Sequence, residues 1–114
     1  MLNQLKNLAK NLIQQDKKIQ IISHFDTDGT CSAAIMATAL KRLDKDFSVK
    51  IVKQLEKETI ESLPKNNFLI FLDLGSGNLE QLNGLKNEIY VIDHHEIKKT
   101  TINKNINIIN PHLY

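Results

Sequence analysis

Leu2, Leu5, Leu8, Leu12 and Ile13 recur at helical spacing with lysines and amides between them, so the chain opens on a predicted amphipathic helix that packs one face against the domain. The pattern then turns β-like over 18–23, where Ile19, Ile21 and Ile22 lead straight into His24. Residues 30–43, carrying Ala33, Ala34, Ile35, Ala37, Ala39 and Leu40, read as a helix, and Gly29 marks the turn before it. A second strand is predicted over 47–52, a short helix over 55–63 stopped by Pro64, and a third strand over 68–72 that is apolar throughout. Such continuous apolarity implies burial on both faces. A helical piece over 78–85, a fourth strand over 88–92 and a fifth over 106–109 complete the pattern, with 98–105 as a polar surface loop. Strands alternating with helices predict an α/β fold, a mostly parallel sheet flanked by helices, without repeats or linkers.

Composition narrows this picture modestly. A chain of 114 residues is one domain's worth, enough to bury roughly two thirds of its unfolded surface in a single core. Fifteen basic residues against 13 acidic ones leave a formal charge of +2. No strong polybasic field results, so the partner class has to come from the site rather than from net charge. One cysteine, Cys31, excludes an internal disulfide framework and fits a reducing compartment; a lone cysteine on a helix is more often a small packed residue than a reactive thiol. The first residues lack the apolar core of a signal peptide, and no run approaches membrane-spanning length. The expectation is a cytoplasmic protein without a membrane partner.

The informative chemistry sits at three strand ends. His24-Phe25-Asp26-Thr27-Asp28-Gly29, Leu72-Asp73-Leu74-Gly75 and Asp93-His94-His95 each follow an apolar run directly. In a parallel sheet, the carboxyl ends of neighbouring strands open into one crevice. Carboxylates brought that close resist joint ionisation unless a cation lies between them, so the pattern asks for metal. If strand geometry persists to the turn, the alternating His24, Asp26 and Asp28 project to one side. Gly29 permits a tight turn and close approach of the next helix, whose free N–H groups can hold a phosphate oxygen. The plainer alternative makes Asp28 a helix cap and Asp26 a solvated turn residue. Asp73 emerges where a buried strand becomes loop, placed to bridge two metals or simply to form a turn. His94 and His95 point in different directions and can take separate roles, with Asp93 orienting one of them. Ser76 and its flanking glycines fit backbone donors to a phosphate or a flexible turn equally well, so Ser76 is left out of catalysis, and His112 is assigned no role.

These strings resemble the first three motifs of the DHH phosphoesterase superfamily, in the right order and over most of the chain. The longer strings Asp73-Leu74-Gly75-Ser76-Gly77, Asp93-His94-His95-Glu96 and Asn110-Pro111-His112-Leu113 are similar to those of archaeal RecJ-like exonucleases, relatives of the replication factor Cdc45. The resemblance implies a Rossmann-like DHH domain and a two-metal phosphodiesterase, usually with Mn²⁺ and with Mg²⁺ as the substitute, that digests single-stranded DNA or RNA from an end. By the same resemblance His24 and Asp26 hold the first metal, Asp28 and His94 the second, and Asp73 bridges them. His95 contacts the scissile phosphate or protonates the leaving oxygen, Asp93 supports the histidines, and Gly29 lines the substrate side. Oxygen-rich ligands with a few imidazoles and no thiolate suit Mn²⁺ or Mg²⁺. The family also carries a fourth-motif aspartate and a carboxyl-terminal substrate-binding domain, yet every aspartate here lies at or before Asp93. The expectation is therefore residues 1–114 as the amino-terminal part of a DHH domain, a fragment or a split half with a companion polypeptide. Small-substrate enzymes acting on oligoribonucleotides or cyclic dinucleotides, and a non-catalytic scaffold docking to replication proteins, are the alternative readings.

Overall fold

The computed structural model describes residues Met1–Tyr114. Helix α1 (Leu2–Gln14) precedes strand β1 (Ile19–His24), helix α2 (Thr27–Arg42), strand β2 (Phe47–Val52) and the short helix α3 (Lys57–Glu61). Strand β3 (Phe68–Leu72), the single-turn helix α4 (Leu79–Leu82), strands β4 (Ile89–Ile92) and β5 (Ile106–Ile109), and a 3₁₀ turn over Pro111–Leu113 follow. All five strands are parallel in the order β2-β1-β3-β4-β5. The chain leaves β1 toward β2 on one side and returns to β3 on the other, so the strand order reverses between β1 and β3. Ligand crevices of doubly wound sheets open at such a reversal.

Period-two alternation sorts the core onto two faces. Leu69 and Phe71 of β3 join Ile22, Ile89 and Val91 under α3 and α4. Phe68, Ile70 and Leu72 point the other way, against Leu8 and Leu12 of α1 and Leu40 of α2. Every residue of β3 is buried, as its continuous apolarity predicts. The edge strand β2 is largely exposed, with Val49 and Ile51 open to solvent. No helix is long and apolar enough to cross a membrane.

Strand geometry does not persist past His24, which corrects the expectation for the first motif. The chain turns at Phe25, and α2 begins at Thr27 rather than at residue 30. Asp26 is its N-cap, with Oδ1 accepting the Gly29 N–H at 2.8 Å; Asp28 lies within the first turn of the helix. The cap is thus Asp26, since only the residue just ahead of the first turn can accept from the free N–H three positions on. Helices α3 and α4 are also shorter than their apolar spacing suggests, ending at Glu61 and Leu82.

Candidate metal centre

The three motifs meet at the carboxyl edge of β1, β3 and β4. His24 is the last residue of β1, and the close approach of α2 defines its surroundings. Gly29 is buried against the His24 main chain, where any Cβ would overlap the carbonyl oxygen. Ser23 Oγ ties the same junction, 2.6 Å from the Gly29 carbonyl and 3.3 Å from that of Leu72. The first motif is therefore bolted to the end of β3.

Asp73 occupies the middle of the site. Its backbone takes the left-handed conformation, φ 60°, which aspartate tolerates better than most side chains. The Asp73 N–H still bonds the Ile92 carbonyl at 2.9 Å, so β3 and β4 stay in register up to this turn. The carboxylate is buried, and its two oxygens face different partners. Oδ1 lies 2.8 Å from His94 Nε2, and Oδ2 lies 3.6 Å from His24 Nδ1. His24 Nδ1 also sits 3.0 Å from Asp26 Oδ2, but outside hydrogen-bond geometry. Both His24 Nδ1 and Asp73 Oδ2 are buried atoms without a hydrogen-bond partner. Two converging orphaned electron-pair donors are costly in a protein interior unless something electrophilic is shared between them.

Electrostatics point the same way. Burial and the neighbouring Asp26 carboxylate raise the pKa of Asp73, against a lowering contribution from His94. Asp26 is shifted down, chiefly because its carboxylate accepts the Gly29 N–H, which outweighs its desolvation. Acidic groups are thus held beside one another, with one kept ionised by the helix end. Potential ligand atoms gather into two sets, each within 4.8 Å: His24, Asp26 and Asp73 in one, Asp73, Asp93, His94 and His95 in the other. Asp73 belongs to both. The donors are carboxylates and imidazoles without thiolate, and they fit a hard to borderline divalent cation.

Asp93 has little left to offer an ion. Oδ1 accepts the His94 N–H at 2.8 Å, the His95 N–H at 3.3 Å and His95 Nδ1 at 2.6 Å; Oδ2 accepts the Ser76 N–H at 3.2 Å. Burial works against its charge, but the bonds from His95 and Ser76 prevail and lower its pKa. The bond to Asp93 in turn raises the pKa of His95, against its partial desolvation. The His95 ring is half exposed and lines a cavity of about 260 Å³ together with His24, Asp73 and Lys53.

Asp28 belongs to neither ligand set. It lines the neighbouring cleft of about 500 Å³ together with Asp73, Asp93 and His94, so the structure brings it to the same cleft but not into contact. The Gly29 N–H is used by Asp26. Two residues receive no role from the sequence: Lys53, whose place at the cavity depends on the β2–α3 turn, and Asn110, noted only within the string Asn110-Pro111-His112-Leu113 and here fully buried under His95. The polar Asn110 directly after an apolar strand was the available signal for the latter.

Comparison with known proteins agrees with this fold. Residues 18–113 match the DHH family, N-terminal domain. An uncharacterized protein of Methanocaldococcus jannaschii is 37% identical over 116 aligned positions, covering 96% of this chain and 27% of that protein. RecJ from Thermus thermophilus in complex with Mn²⁺ superposes with a TM-score of 0.77 and 27% identity, over 98% of this chain and 17% of RecJ. An exonuclease RecJ bound to manganese superposes at 0.80 and 24% identity, covering 98% of this chain and 31% of that one, a likeness of fold. The chain spans about a quarter of the length of its archaeal relative and less than a third of either RecJ chain.

Proposed function

This chain belongs to the DHH family, and on that footing we propose that it carries the metal cradle of a phosphodiesterase acting on single-stranded DNA or RNA in the manner of a RecJ-like exonuclease. One observation carries the reading: Asp73 stands between two ligand sets and turns one oxygen toward each. A buried carboxylate shared in this way is what a two-ion phosphodiesterase requires of its bridging ligand.

In this reading His24 and Asp26 would hold one Mn²⁺ and His94 the other, with Asp73 available to both sets and Asp28, which lines the same cleft, as a further candidate ligand on the His94 side. Mg²⁺ is the substitute. When bound, the ions supply Lewis acidity toward phosphoryl oxygens and a water nucleophile at neutral pH. The protein's own part is positional. Asp93 holds His95 by Nδ1, which leaves Nε2 to face the scissile phosphate and give a proton to the leaving oxygen. His95 is favoured in its protonated form by that same partner, as a general acid needs. Gly29 brings α2 against His24 and keeps the first motif in place.

A fourth acidic ligand and a surface that grips substrate belong, in our reading, to a further segment or a companion polypeptide. The present chain by itself then fills the His24 site before the His94 site and hydrolyses slowly. Isothermal titration with Mn²⁺, alongside degradation of a 5′-labelled oligonucleotide, tests this. Two-step binding with weak cleavage is expected, and oligoribonucleotides and cyclic dinucleotides assayed in parallel identify the preferred phosphodiester. Failure to bind Mn²⁺ would sink the proposal, and rapid processive digestion by the chain alone would remove the need for a partner.

A further inference from the structure

Asn110 lies at the end of β5, outside the three ligand-bearing motifs, and is completely buried. Its side chain uses every hydrogen-bonding group it has. Nδ2 donates to Ser76 Oγ at 2.9 Å and to the His95 carbonyl at 2.8 Å, while Oδ1 accepts the His112 N–H at 2.9 Å. Ser76, also fully buried, donates its N–H to Asp93 Oδ2, and Asp93 Oδ1 accepts from the His95 ring. Asn110 therefore reaches His95 by two routes, directly through the main chain and indirectly through Ser76 and Asp93 to Nδ1. His112 closes the arrangement, with Nε2 donating to the His94 carbonyl at 3.1 Å.

We infer that Asn110 is a positioning residue that sets the ring orientation and tautomer of His95, through a buried relay of Asn110, Ser76 and Asp93. Burying a primary amide among apolar strand ends is unfavourable unless each of its groups is paired, and here each is paired with the loops that carry Ser76, His95 and His112. An apolar residue would pack at this position, but it would leave the His95 carbonyl and Ser76 Oγ without their donor. Aspartate, the isostere, would turn an acceptor toward the His95 carbonyl, which can only accept, and keep at most the Ser76 hydroxyl as a partner. The amide is thus required by the loops it connects rather than by the strand that carries it. The consequence is that the Nδ1–H of His95 is kept on Asp93, and Nε2 stays free toward the cavity.

The functional importance of that free nitrogen rests on the phosphodiesterase reading; the positioning itself does not. The test is long-range ¹H–¹⁵N correlation of the histidine rings in the metal-free full chain, at a pH where the rings are neutral. The native chain is expected to show His95 as the Nδ1–H tautomer. In Asn110→Ala the ratio of Nδ1–H to Nε2–H is expected to fall about tenfold, because the neutral bonds that hold the His95 main chain and Ser76 in place are lost and the His95–Asp93 contact is no longer held in line. A folded Asn110→Ala chain that keeps the native ratio overturns the inference. Should that variant fail to fold, Ser76→Ala decides: it removes one route and leaves Asn110 on the His95 carbonyl. A several-fold smaller Nδ1–H fraction supports the relay, and an unchanged one overturns it. A tautomer shift in a chain whose native form cleaves no phosphodiester would remove the proposed activity and leave this relay standing.

Discussion

Gly29 packs so closely under His24 that a single added Cβ would overlap the His24 carbonyl oxygen. The obstruction is backbone, which cannot swing aside as a long side chain can. Gly29→Ala is therefore expected to push α2 away from β1, at a cost of about 1–3 kcal/mol or more in urea unfolding. Because Asp26 caps the same helix beside His24, Mn²⁺ affinity should fall in the folded remainder. Unchanged stability would mean that helix and strand do not meet as described.

Asp73 separates binding from folding. Its raised pKa, from burial and the adjacent Asp26, marks a carboxylate that the metal-free fold tolerates poorly. Asn keeps the shape, accepts a left-handed φ and removes the charge. Asp73→Asn is expected to leave metal-free thermal stability equal or higher while weakening Mn²⁺ binding by about a hundredfold or more, since ligand loss exceeds the roughly 10–100-fold typical of supporting residues. Calorimetric unfolding and Mn²⁺ titration of the same preparations check both halves.

Asp28 and Asp26 should part company in titrations. Asp26 shares the His24 ligand set and Asp28 does not. Asp28→Asn is expected to preserve the tighter Mn²⁺ site and diminish the weaker one, whereas Asp26→Asn diminishes the tighter. Equal effects on the tighter site would place Asp28 nearer His24 than the structure has it.

Native-state binding of Mn²⁺ should raise thermal stability, by about 2.7 kcal/mol at a free concentration roughly one hundred times the dissociation constant. EDTA should reverse it. The gain should shrink as pH falls, because protons compete for the imidazole and carboxylate ligands. Scanning fluorimetry at graded Mn²⁺ and pH reads this out.

Tyr90 supplies an alkaline limit away from the metal ligands. Its hydroxyl meets Asn11 Nδ2 at 2.8 Å, fastening α1 to β4, and burial raises its pKa. A raised folded value means that the contribution of the neutral phenol is fully present below the unfolded pKa of about 10. It is lost as pH rises from there through the folded value. Tyr90→Phe should cost about 1 kcal/mol at neutral pH and abolish that alkaline decline, as followed by unfolding and by tyrosinate absorbance.

Much of the molecule was legible before its structure. Covalent order and hydrophobic period suffice for local elements, so all five strands fall close to their predicted positions, with β2, β3 and β5 coinciding residue for residue. The ligand-bearing strand ends were legible for the same reason: an apolar run that breaks into Asp and His declares both a buried strand and its exposed end. Helix starts were less so, because Asp26 and Asp28 are both good caps and only the actual turn at Phe25 selects between them.

By itself, then, the sequence determined the alternating elements, the carboxylate and imidazole chemistry, and the family to which those motifs belong. Tertiary structure alone decided that β1 and β3 are neighbours, that Asp73 therefore faces His24 with one oxygen and His94 with the other, and that Asp28 stands apart. It also decided that Asn110 lies beneath His95. The reason is physical: period and propensity act over a few residues, whereas strand order and buried polar pairing are settled by packing two hydrophobic faces at once, between residues as far apart as Ser76 and Asn110.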